Sequence, residues 1–566
     1  MKPAQLLLLV VAVLAVGAVA LLAGGSGGDD GGGSPEPAQT GDAAPAGALE
    51  VPFAYSPEKE KLLAPLIEAF NRERVQVGGK PVHIAPSIVA SGDAQARIAG
   101  ERLKPVVWSP ASSLWGRLLN FEADRELAPR ENEPIVRTPL VIAMWEPMAR
   151  ALGWPDKRVG FDDILRLARD ERGWAAFGRP EFGPFKLVHT NPDFSTSGLS
   201  AVVAEYYAAT GKKEGLTEAE VTGSKARRTV RQIERSIVHY GDTTLFIADQ
   251  MREKGPGYAS AVAMEEVTLL DFNADRNGRD RLIALYPEEG TFFSDNPFIV
   301  LDAPWVTPEQ AEAAGAFQRF LAERITPEVA AAAGFRPADR ETPPVAPITE
   351  ENGVDPGEPE RVLGLPEPRV LAAIKDSWRE DRKPADILLV LDTSGSMNDE
   401  NRLARAKDGL EVFFDQIADQ DSVGLVTFSD VIRPLLPIRP FGASRRELER
   451  TVRDLFADGG TAFYDATAEA YDSMREDAGD ERINAVVLLT DGEDTDSTTS
   501  PETLVQRLRE GSEGAGQVRV FTIAYSAGAE GAAEALKEIA QASGGQAYQS
   551  DTDDIESVYR SISSFF

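Results

Sequence analysis

Asp392, Ser394 and Ser396 stand at alternate positions in LVLDTSGSMND, residues 389–399, where an apolar run gives way to polar residues. The alternation can turn all three oxygens into one crevice, and Gly395 between the serines lets the loop bend tightly. Two later segments offer the same chemistry. DGGTAFYD presents Thr461 behind the flexible pair Gly459 and Gly460, and VVLLTDG ends in Asp491 followed by Gly492. Carboxylate and hydroxyl oxygens suit a hard divalent cation, and an incomplete octahedron finished by water is how Mg²⁺ is usually held. Serine and threonine at such places also cap helices, but capping does not need two separate aspartates facing one crevice.

Other chemistries are constrained by what the chain lacks. It has no cysteine, which removes disulfides, thiolate metal sites and cysteine nucleophiles. Its three histidines, His83, His189 and His239, all precede a proline-rich stretch that begins near residue 336. No serine beyond that stretch therefore has a histidine base, and no zinc ligand set of the hydrolytic kind is available there. ATGKKEG lacks the leading glycine and the hydroxyl after lysine that a phosphate-binding loop needs. In the first half, hydroxyls collect at strand-to-helix turns: Ser91, Ser109, Ser112, and the run Ser195, Thr196, Ser197, with His189 and Asp193 beside it. Such hydroxyls, with helix N-terminal amides, suit a polar or anionic small solute, and the same residues also serve as ordinary caps.

The elements that must position these residues follow from periodicity. DILLVLD reads as a buried strand, and RLARAKDGLEVFFDQI places Leu403, Ala406, Leu410, Phe413 and Ile417 on one helical face. SVGLVTF and VIRPLLPI form a hairpin across Ser429 and Asp430, and AVVLLTD and VRVFTIAYS are apolar throughout, as strands covered on both faces are. A last helix carries Ile555, Val558, Ile562 and Phe565 on its apolar side. The fold class is α/β, here a doubly wound sheet with ligands at the carboxyl ends of its strands. From LEVPFAY to about residue 335, strand-like runs such as PVHIAPSIV, PVVWSP and LIALYP alternate with amphipathic helices at 57–73 and 307–323, which is again α/β.

DTSGSM, GGT and LLTDG, in this order and context, resemble a von Willebrand factor type A (VWA) domain with a complete metal-ion-dependent adhesion site, over residues 383–566. The resemblance implies a Rossmann-like sheet in which Asp392, Ser394, Ser396, Thr461 and Asp491 ligate the metal, Asp491 directly or through water. It implies Mg²⁺ (or Mn²⁺/Ca²⁺), and an open coordination position filled by an acidic side chain of a partner protein. Residues 49–345, on FAYSPEKEKLLAPLIEAFNRE, VVWSPASSLWGRLL, TPLVIAMWEPMARALGW, HTNPDFSTSGLSAVVAEYYAATGK and AAAGFRP, resemble bacterial extracellular solute-binding proteins of the two-lobed periplasmic-binding type. That implies two lobes joined by crossover strands near PLVIAMW and FIVLDAPW and closing on a solute by a hinge.

The whole-chain quantities agree with an exported binding protein. At 566 residues the chain exceeds one hydrophobic core, and a formal charge of −32, from 91 acidic and 59 basic side chains, argues against nucleic acid or anionic lipid as a partner of the folded body. Residues 1–23 carry one lysine ahead of an apolar run from Leu6 to Ala23, the pattern of a signal peptide or an N-terminal membrane anchor. Residues 24–48 form a Gly/Pro/Ser-rich tether, and residues 346–382 a Pro- and acid-rich linker with a short helix in RVLAAIKDSW. The expectation is a non-enzymatic protein of the cell surface, held by a single N-terminal anchor, or secreted if the signal is cleaved. Its VWA domain docks a protein partner through a divalent cation, and its first module binds or senses a small solute. The alternatives are a delivery component for a membrane transporter and an exported hydrolase using His189 or His239 with Asp193.

Overall fold

A computed structural model of the chain describes residues 44–511, 516–525, 530–550 and 555–566. The expected anchor at 1–23, and the tether up to residue 43, lie outside the described residues. Among those described, no helix is long and apolar enough to cross a membrane.

The first lobe is a five-stranded sheet in the order Ile299–Val300, Val107–Ser109, Leu49–Tyr55, Lys80–Ile88, Gln76–Val77. Its core is aromatic: Phe53, Phe70, Phe298 and Phe317 pack with ring centroids 5.0–6.1 Å apart, and rings at this spacing contribute beyond the area they bury. The second lobe is built on Val136–Trp145, a strand whose ten residues are all buried. Arg336–Pro337, Ala261–Glu265, Leu282–Leu285 and Phe293–Ser294 all pair with it antiparallel. The chain passes between lobes where Ile135 N–H donates to the Asn296 carbonyl and Phe298 N–H to the Glu133 carbonyl. This crossing sits beside the PLVIAMW and FIVLDAPW segments, of which FIVLDAPW contributes only the two-residue strand Ile299–Val300.

The Pro- and acid-rich segment is pinned to the second lobe. Arg336 donates to the carbonyls of Asp355 and Glu358, Asn273 to that of Asn352, and Leu363 N–H to that of Thr291. The helix Pro368–Asp381 follows and leads directly into the C-terminal domain.

That domain is a six-stranded sheet in the order Ile432–Pro440, Ser422–Phe428, Ala385–Asp392, Ile483–Thr490, Val518–Tyr525, Ala547–Ser550, parallel except for the first strand. The hairpin expected across Ser429 and Asp430 is present. Alternate side chains divide the two faces. Ile387, Leu389 and Leu391 pack with Leu410, Phe413, Leu448 and Ile562 on one side, while Leu388 and Val390 pack with Ala466, Met474, Leu508 and Leu536 on the other. The doubly wound architecture thus follows from a strand that is apolar at every position. Chain order leaves the Ala385–Asp392 strand in opposite directions, toward Ser422–Phe428 and toward Ile483–Thr490, so a crevice opens at its carboxyl end.

Candidate metal site and solute cleft

Asp392 ends its strand in that crevice with no exposed surface. Its Oδ1 accepts the Ser394 N–H at 2.7 Å, and its Oδ2 accepts the Thr490 hydroxyl at 2.6 Å. Burial lifts its carboxyl from 3.8 to about 6, against the pull of those two donors. Ser396 Oγ donates to Asp491 Oδ1 at 2.7 Å, and Ser394 Oγ lies 3.0 Å from Ser396 Oγ. With the Ser396 proton committed to the carboxylate, Ser394 is the donor in that second contact. A continuous row of oxygens therefore runs from the first segment to the third. The second segment is drawn in by backbone: Gly395 N–H donates to the Gly459 carbonyl at 2.9 Å, and Asp458 N–H to the Thr393 carbonyl at 2.8 Å. Gly459 holds φ +90, and a Cβ there would meet Asp430 Oδ1 at 2.4 Å, so only glycine fits this approach.

The donor set fits a hard divalent cation. Two buried carboxylates and two serine hydroxyls face one crevice, and the basic group in direct contact with them is Arg402, whose Nη1 donates to Asp491 Oδ2 at 2.8 Å. Asp392, Asp491 and Arg402 leave one net negative charge for a dication to meet. Neither Thr490 nor Arg402 is flagged by the sequence pattern, although each adjoins it. The acid-rich loop after Asp491 is stapled onto the threonine loop. Asp496 Oδ2 accepts the Thr461 N–H at 3.2 Å and Asp494 Oδ2 the Tyr464 N–H at 3.2 Å.

In the first module the lobes meet closely. Trp115 Nε1 donates to Thr196 Oγ1 at 2.7 Å, and Gly92 N–H to the Phe194 carbonyl at 2.8 Å. A Cβ at Gly92 would sit 2.1 Å from the Asp193 carbonyl oxygen. The cleft between them is a cavity of about 30 Å³ whose walls include Ser91, Ser195, Thr196, Glu58 and Glu265, room for about one water. Ser109, Ser112, Ser197 and His189 do not line it. Ser112 Oγ caps the Leu114 N–H, Ser197 Oγ lies 2.9 Å from Thr190 Oγ1, and Ser109 Oγ is buried without a partner among the described residues. Sequence reasoning missed the charged residues here. Burial holds Glu265 up at about 8, with Glu58 adding to the effect. Lys59, fully buried, donates to Asn296 Oδ1 at 3.0 Å. A lysine on the buried side of a helix start was the available signal.

The pairing of His189 with Asp193 that a hydrolase would need is not formed. Asp193 is held by Arg379 at 2.7 and 2.8 Å, while His189 Nε2 lies 3.1 Å from Glu234 Oε1. His239 is buried, and burial with Arg519 nearby drives it well below its usual range.

The family model described as bacterial extracellular solute-binding protein matches residues 51–336, half of the chain. The chain belongs to this family. A second model, the von Willebrand factor type A domain, matches residues 386–561. The uncharacterized protein Rv1836c of Mycobacterium tuberculosis is 22% identical over 503 residues, 84% of this chain and 71% of its own length. The uncharacterized protein YfbK of Escherichia coli is 28% identical over 139 residues, and the match spans 24% of each chain. Among solved structures, the sulfate-binding protein SubI from Mycobacterium tuberculosis is 17% identical with a TM-score of 0.37, over 52% of this chain and 88% of that one. Both families are generally non-catalytic, and the first is extracellular. A VWA domain commonly binds a divalent metal.

Proposed function

We propose that this solute-binding protein is an exported, membrane-tethered, non-enzymatic binding protein. Its VWA domain holds Mg²⁺, or Mn²⁺/Ca²⁺ in its place, through Asp392, Ser394, Ser396, Thr461 and Asp491. When bound, the cation offers an open position to the carboxylate of a protein partner. The observation that carries this reading is the row Ser394 Oγ, Ser396 Oγ, Asp491 Oδ1, which joins residues 95 apart in sequence at hydrogen-bond distance. The first module binds or senses a small polar solute between its lobes, with Ser91, Ser195 and Thr196 on the cavity wall.

Sensing or holding is favoured over delivery to a transporter by the helix Pro368–Asp381, which lies across both lobes. Lys375 Nζ is 3.6 Å from Glu122 of the first lobe and 3.4 Å from Asp193 of the second. Release of a solute requires that bridge to part. Calorimetric titration of the full chain with Mg²⁺ tests the cation reading. One site is expected, abolished by Asp491→Asn, and a wild type that takes up no Mg²⁺ and gains no thermal stability from it overturns the reading.

A further inference from the structure

Away from both sites, His189, Glu205 and Glu234 bring one ligand atom each to within 4.8 Å of one another, and all three are buried. They come from the strand Leu187–His189 and the helices Thr196–Thr210 and Ser224–Glu234 of the second lobe. His189 Nδ1 lies 2.8 Å from the Thr190 carbonyl, so that nitrogen carries a proton and donates. Its Nε2 is turned on Glu234 Oε1 at 3.1 Å. An imidazole whose second nitrogen also faces an acceptor has two solutions: a second proton, or a cation between the two lone pairs. Glu205 Oε2 is buried and has no hydrogen-bond partner among the described residues. A carboxyl oxygen in that position is left unsatisfied by the protein alone.

We propose that His189 Nε2 and one oxygen each of Glu205 and Glu234 form a second metal site, which takes a single first-row divalent cation, Zn²⁺ in the first place. One imidazole nitrogen with two carboxylates suits zinc better than magnesium, which prefers oxygen alone and keeps its waters. The surroundings match a ligand set. The Nδ1–H bond to a backbone carbonyl fixes the ring with Nε2 forward, and the Tyr240 hydroxyl, 2.5 Å from Glu234 Oε2, orients that carboxylate. Burial, with the neighbouring Glu234 adding to it, pushes the Glu205 carboxyl well up, and for His189 burial pulls down but is outweighed by Glu234 and the Thr190 carbonyl together, so the imidazole is raised. The cation would tie Ser224–Glu234 to the core of the lobe. That helix presents Arg227 to Asp381 of the bridging helix at 2.6 and 2.7 Å. It is a staple in a chain with no cysteine to form a disulfide.

The test uses the full-length chain with Asp392→Ala, which takes the buried carboxylate from the VWA site. Zinc is measured by plasma mass spectrometry after dialysis, and its ligands by X-ray absorption at the zinc edge. About one zinc per chain is expected, with one imidazole among oxygen neighbours, falling at least about tenfold when Glu205→Gln or His189→Gln is added. Zinc titration of the stripped chain in buffers of different ionisation enthalpy should show proton release, since an imidazole nitrogen and carboxyl oxygens bind a metal only in their deprotonated forms. A folded Asp392→Ala chain that holds no zinc as purified and takes up none overturns the proposal, leaving His189 and Glu234 as an ion pair. Zinc fully retained in both added variants overturns it as well, because the metal then lies elsewhere. The parent measurement decides even if an added variant fails to fold.

Discussion

Replacing Asp392 with asparagine should stabilise the metal-free protein while ending its response to Mg²⁺. The side chain has no exposed surface, and burial holds its carboxyl at about 6 rather than 3.8. At neutral pH the ionised form therefore costs the fold roughly 3 kcal/mol. Asparagine keeps the shape and carries no charge. Its Oδ1 can accept the Ser394 N–H as Asp392 does at 2.7 Å, and the Thr490 hydroxyl can rotate to accept from the amide. Because the folded value lies above the unfolded one, the wild type is best served below about pH 4 and loses this share of stability as pH rises from about 4 to 6. The difference between Asp392→Asn and wild type in chelator should thus be near zero at pH 4 and reach about 3 kcal/mol in favour of the variant above pH 6, by urea denaturation. Adding Mg²⁺ at about a hundred times its Kd should return roughly 2.7 kcal/mol to the wild type and nothing to the variant. A variant no more stable than wild type at pH 7.5 refutes the burial argument. Equal stabilisation of both proteins by Mg²⁺ removes Asp392 from the ligand set.

Arg402→Gln should tighten Mg²⁺ binding by about tenfold, since the guanidinium 2.8 Å from Asp491 repels an incoming cation; weaker binding by calorimetry would mean Arg402 positions the carboxylate instead. Glu265→Gln should stabilise the protein by about 3 kcal/mol at pH 7 and far less at pH 5, because burial holds that carboxyl at about 8 and the wild type loses stability from about pH 4.5 to 8. Parallel urea curves whose midpoints differ equally at both pH values would contradict this. Lys375→Ala with Arg379→Ala removes the bridge between lobes at Glu122 and Asp193, and small-angle scattering should report a larger radius of gyration. An unchanged scattering curve would mean that the lobe-to-lobe bonds at Thr196 and Phe194 suffice by themselves.

The C-terminal half was more legible than the first because its signals are local. An apolar strand that ends in Asp392, with Ser394 and Ser396 at alternate positions, fixes where those oxygens emerge, and the apolar strands of residues 422–428, 483–490 and 518–525 dictate a sheet buried on both faces. The first module announced its α/β alternation but not its pocket. Ser91, Ser195 and Thr196 line the cleft, whereas Ser109, Ser112 and Ser197, identical in type and in turn context, do not. Which hydroxyl faces a cleft depends on how two lobes close, and that is a long-range contact with no local periodicity.

Composition, periodicity and short motifs were enough to read the α/β class and the oxygen-bearing residues of the candidate metal site, because each is written within a few residues of chain. Tertiary structure alone decided that Arg402 and Thr490 sit on the two aspartates of the candidate metal site, that Asp193 belongs to Arg379 and not to His189, and that His189 meets Glu205 and Glu234 in one buried pocket. A charge takes its partner from whatever the packing of distant helices and strands brings within about 3 Å, and that distance is set by the fold as a whole.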